Sequence, residues 1–322
     1  MYVTAIRVEG LRGAPSWERP GLGRVVDLPP GPEGVAVADA LTLLSASMDG
    51  RRLHAALVRL GLSHPADDPE IVEEHGLPTQ VWLSDVGGVK ALVRVEEMRN
   101  FTVYAEIEPD PPLFGRLREL AVRDPRLVTA LGQSPTIRVK VGWLLSNDHT
   151  TAAIGLSEVG IGEVAFALSS AERPIWLPGL LRDLGARFGR TDPVEPGSAV
   201  TARLLEASLS SDGDVRHGFR KVANAVAGPP FSLGRLELVR AEGRLHACFG
   251  PELLRARQFG VGATEALRLA AAVYLNAPDV LIVEASAAGA REPAAVREWL
   301  ARATQGDDAT LEQVILVPGG SP

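Results

Sequence analysis

Lysine is almost missing from this sequence. Lys90, Lys140 and Lys221 are its only three, and arginine carries the rest of the positive charge. Any chemistry that needs one well-placed lysine therefore has few residues to draw on. Cys248 is the single cysteine, which excludes a disulfide framework within the chain. It lies in the apolar run Leu245-His246-Ala247-Cys248-Phe249, where a buried, inert thiol is expected. No apolar stretch reaches spanning length; the most apolar one, Leu267 to Ala277, is short and carries Arg268. The first residues alternate as a strand would and lack the basic and apolar regions of a signal peptide, so the expected location is the cytoplasm. The six histidines show no metal-ligand spacing, Glu73-Glu74-His75 reads as a polar turn before Gly76, and no G-x-S-x-G elbow occurs. No metal site and no cofactor is expected.

What is present is ordinary globular material. Over 322 residues, 46% are hydrophobic and 23% charged, enough to bury a core without staples. The net charge of −7 weighs against a dedicated nucleic-acid binder, and Arg216, Arg220 and Lys221 read as a solvated helix face.

Along the chain, Tyr2–Val8 and Arg24–Leu28 read as strands around a turn-rich segment, and helical spacing begins near Ala36. Alternation over 79–108 predicts antiparallel strands, with a hairpin at Gly87-Gly88. Pro112–Leu131 reads as helix, followed by strands at Ile137–Leu145, Ala152–Leu156 and Ile161–Leu168. Pro174–Phe188 reads as an amphipathic helix broken at Gly179 and Gly185, and Arg190–Gly197 as a flexible joint. Helix is expected over Val200–Val226, interrupted at Ser211-Asp212-Gly213. Strands then follow at Arg235–Val239 and Arg244–Phe249, a helix at Ala263–Leu275, and a buried strand at Val280–Val283. A helix at Pro293–Ala303 and a last strand at Gln313–Val317 complete the pattern. The fold class is α/β, strand-rich first and βαβ-like towards the end.

Three segments carry a chemical pattern. Gly31-Pro32-Glu33-Gly34-Val35-Ala36-Val37-Ala38 follows a strand and opens a helix, where a phosphate loop reads G-x-x-x-x-G-K-[ST]. Phe259-Gly260-Val261-Gly262-Ala263 precedes an alanine-rich helix. Ala277-Pro278-Asp279-Val280-Leu281-Ile282-Val283-Glu284-Ala285 is an apolar strand ending in one acid. In this order and spacing they resemble the phosphate loop, signature and Walker B strand of SMC/RecF-like ABC ATPase heads. The final Gln313 to Pro322 resembles the switch strand of that family, with Gly319 or Gly320 where its histidine belongs.

The resemblance implies a two-lobed head-like fold with a partly parallel core sheet, as one domain over 1–322. A strand-rich lobe over 1–170 carries the degenerate phosphate loop, a helical insert covers 171–230, and a C-terminal lobe covers 231–322. It also implies that the Gly31–Gly34 turn opens a helix beside the Val280–Val283 strand in one sheet. The relic nucleotide positions are Gly31, Gly34, Val37, Ala38, Gly260, Gly262, Glu284 and Ala285. Val37 stands for the phosphate lysine, Ala38 for the magnesium hydroxyl, and Gly260 for the signature serine. Glu284 stands for the metal-associated aspartate and Ala285 for the general base. Losing all of these together removes the charge-assisted contacts to phosphate, the metal and the positioned water.

The expected function is therefore a pseudo-ATPase retained as a structural or regulatory subunit, with no catalytic residues. The alternatives are an ATP-binding head using Glu284 for magnesium and arginines for phosphate, or a DNA-associated factor. The expected partner is a protein, either a second copy or an active ATPase, and not a membrane. Val35 to Ala38 together with Phe259, Val261 and Ala263 are expected to form an apolar pairing face or else to fill the pocket within one chain.

Overall fold

Four short strands from distant parts of the sequence meet in one parallel sheet: β3 (Val25–Asp27), β8 (Phe188–Arg190), β12 (Val280–Glu284) and β13 (Gln313–Val317). Their order is β3-β13-β12-β8, and every pairing is parallel. The computed structural model describes residues 1–9, 17–31, 33–35, 37–38, 41–42, 98–134, 136–146, 152–167, 173–191, 197–258, 261–284, 293–305 and 309–317. The chain divides into two compact units. The first comprises Met1–Gly23 and Pro29–Arg187, the second Arg24–Leu28 and Phe188–Pro322.

The first unit is built on a six-stranded antiparallel sheet, ordered β2-β1-β4-β5-β6-β7. Its strands are β1 (Tyr2–Glu9), β2 (Trp17–Pro20), β4 (Met98–Glu108), β5 (Ile137–Ser146), β6 (Ala152–Ile161) and β7 (Val164–Ala167). Alternation sends Val3, Ile6, Ile107, Ile137, Val139, Val159 and Ile161 into its core. The expected hairpin at Gly87-Gly88 lies outside the described residues. Helices α1 (Pro111–Ala121) and α2 (Pro125–Gln133) each open on an aspartate cap followed by proline. Asp110 accepts from the Leu113 N–H at 2.9 Å and Asp124 from the Arg126 N–H at 3.2 Å. Asp124-Pro125 is thus where the single helix expected over Pro112–Leu131 divides. α3 (Leu177–Ala186) runs unbroken through Gly179 and Gly185, because Leu177, Leu180, Leu181 and Leu184 are all buried. The break expected there does not occur.

In the second unit, α4 (Gly197–Leu209) and α5 (Gly213–Ala227) pack on α6 (Val261–Tyr274). They also cover one face of a small antiparallel sheet made of β9 (Leu236–Ala241), β10 (Arg244–Phe249) and β11 (Leu254–Arg255). Val200, Leu204, Val222, Val226, Phe249 and Ala270 form this core. A second core joins α6 and α7 (Pro293–Ala303) to the parallel sheet through Leu269, Val273, Leu281, Trp299, Leu300 and Val314. β12 and β13 are apolar on both faces, as parallel strands covered on both sides are. Residues 171–230, expected as one helical insert, fall in both units: α3 belongs to the first, α4 and α5 to the second. Cys248 is buried, and that burial pushes its thiol pKa up, with Arg255 opposing and Glu237 adding to the rise.

Two measurements check this packing. A methyl group on Gly218 of α5 would sit 2.6 Å from the Tyr274 carbonyl oxygen of α6. Gly218→Ala should therefore force the two helices apart and lower stability by about 1–3 kcal/mol in urea unfolding. The second concerns acid. Burial pushes Asp110 upward, but the Leu113 N–H, Arg187 and the Met1 ammonium outweigh it and hold the carboxyl below its ordinary value. The Arg126 hydrogen bond, against burial, does the same for Asp124. Both titrate lower in the folded than in the unfolded chain. Their stabilisation is complete above about pH 4 and is lost as pH falls through the folded values. Asp110→Asn with Asp124→Asn should flatten the acid limb of stability against pH.

Candidate functional site

In an open parallel sheet, the strand ends at the carboxyl edge are where ligands are met. Here that edge carries Asp27 at the end of β3, Glu284 at the end of β12 and Arg190 at the end of β8. Asp27 is held by Arg297 of α7, at 2.6 Å, in an exposed pair. Glu284 is bound more tightly. Its carboxylate pairs with the Arg190 guanidinium, whose side chain is only 12% exposed. Register explains the meeting: Arg190 stands opposite Ile282, and Glu284 lies two residues further along that strand, on the same face.

Thr191 completes the arrangement. Its N–H donates to the Ile282 carbonyl at 2.9 Å, extending the ladder by one rung. Its Oγ1 accepts the Glu284 N–H at 3.1 Å. Both the backbone and the side chain of Glu284 are thereby engaged within the second unit. A carboxylate neutralised by a guanidinium is a poor metal ligand and a poor base, since either role requires breaking a charge-assisted pair. Neither Arg190 nor Thr191 was singled out by sequence pattern. Sequence spacing puts Arg190 in a flexible joint; in the structure it ends a strand.

The phosphate-loop-like segment has a different geometry from a phosphate cradle. Gly31 turns the chain with a φ of 90°, a conformation that suits glycine. Helix follows at once: Glu33, Gly34, Val35, Val37 and Ala38 are helical, and the Val35 N–H donates to the Gly31 carbonyl at 3.3 Å. Val35's amide, which a phosphate loop would aim at its ligand, is thus used by the helix. Gly34 is buried. Val37 is 1% and Ala38 0% exposed, so the side chains at the lysine and hydroxyl positions belong to the core. The expectation that this turn opens a helix holds. The second half of that expectation is corrected: β3 shares a sheet with Val280–Val283, but the turn and its helix, from Pro29 onward, group with the first unit and Val280–Val283 with the second.

Of the remaining positions, Gly262 is half-buried in the first turn of α6, and Ala263 is 1% exposed within the α4–α5–α6 core. Phe259, Gly260, Ala285, Gly319 and Gly320 lie outside the described residues. Val37, Ala38 and Ala263 are therefore not part of an exposed pairing face. The residues at the positions where the resemblance would place nucleotide contacts do not fit magnesium and ATP: Glu284 is paired with Arg190, and Val37 and Ala38 are buried and apolar. Among the described residues no cluster of three or more His, Cys, Asp or Glu could hold a metal ion. No helix among them is long and apolar enough to cross a membrane.

No protein-family model matches the sequence, and no curated protein matches it. Alignments with solved structures cover nearly the whole chain. The SMC head domain from Thermotoga maritima aligns at a TM-score of 0.42 and 8% identity, covering 99% of this chain and 90% of that one. The recombination mediator protein RecF of the RecFOR pathway aligns as RecF-ATPrS at 0.42 and 9% identity, covering 100% and 93%. As RecF-ATP it aligns at 0.40 and 9%, covering 99% and 93%. At these identities no residue role passes from one chain to the other.

The Glu284–Arg190 pair makes a quantitative expectation. Arg190→Ala leaves a mostly buried carboxylate without its cation and should cost about 3–5 kcal/mol in denaturant unfolding. Arg190→Met combined with Glu284→Leu removes both charges and should recover most of that loss. A double variant as unstable as the single one would mean that the pair is not what the edge depends on.

Proposed function

We propose that this chain is a non-catalytic member of the SMC/RecF-like head class, acting as a structural or regulatory protein-interaction subunit without nucleotide. The observation that carries the reading is the internal neutralisation of Glu284 by Arg190. A magnesium ion at that carboxylate would have to displace a guanidinium already in place, with Ala285 supplying no second acid. Around a nucleotide, productive heads rely on a lysine and a hydroxyl at the helix start. Val37 and Ala38 supply neither, and both are buried.

The motif losses point in the same direction, because each removes charge or hydrogen bonding from one ligand. A triphosphate with its metal is strongly anionic and is held chiefly by charge-assisted contacts. A core-facing helix in place of the loop offers none. What such a head retains is a folded scaffold and its surfaces.

Calorimetric titration of the full chain with magnesium and ATP checks the reading. The expected result is no saturable heat at physiological nucleotide concentration. A dissociation constant in the micromolar range would instead establish an ATP-binding head working with an altered set of residues.

A further inference from the structure

We draw no further inference here: the strongest candidate, the exposed basic face of α5 formed by Arg216, His217 and Arg220 opposite its buried Gly218, Val222 and Val226, carries nothing, because nothing in the structure shows what covers it.

Discussion

The pairing of Val25–Asp27 with Gln313–Val317 is the contact on which the second unit depends. The Arg24 carbonyl accepts from the Val314 N–H at 2.8 Å, and the Leu28 N–H donates to the Leu316 carbonyl at 2.9 Å. Between these strands the chain leaves the unit at Pro29 and rejoins it at Phe188. Closing so long a loop costs only slightly more entropy than closing a shorter one, because the cost grows with the logarithm of length. It does require the most distant parts of the sequence to meet, which is the slow kind of contact in folding. Once made, it sets the carboxyl end of β3, with Asp27, on the edge where the β13–β12 and β12–β8 pairings set Glu284 and Arg190.

That alignment gives the acid at the end of β12 its character. A carboxylate at a sheet edge is free to hold a metal only while no internal cation reaches it. Three residues of β8 bring such a cation. Burying both charges gains little over an apolar pair, since desolvation offsets the attraction, but removing one partner alone is costly. The pair therefore persists as a unit, and Thr191 ties the Glu284 backbone to the same strand end. The same economy of charge appears at Asp110, where a helix cap and Arg187 share one carboxylate.

Legibility varied with how much each segment depends on itself. α7 and β13 begin and end where apolar pattern and proline place them, and β12 exceeds its expected span by one residue. β12 is a run of four apolar residues after Pro278-Asp279, long and apolar enough to be recognised without its neighbours. α3 was misread because two glycines weigh against helix by about 1 kcal/mol each, while four buried leucines outweigh them. β8 was missed altogether. Phe188-Gly189-Arg190 has a glycine at its centre and no alternation to detect, and it is a strand only because β12 offers it a ladder. The close approach of Gly189 to Pro278, where an added methyl would lie 2.6 Å away, shows how tightly that seat is built.

The sequence by itself determined the α/β class, the buried Cys248, the strands β12 and β13, and the absence of lysine and hydroxyl at Val37 and Ala38. Those follow from residue type and local spacing, which need no partner to be read. Only the tertiary structure decided that Val37 and Ala38 turn into the core, and that Gly34 and Val35 belong to a helix. Only it decided that Glu284 is neutralised by an arginine 94 positions earlier in the chain. Burial and charge pairing are properties of neighbours in space, and the neighbours of Glu284 come from a strand that exists only once the sheet has closed.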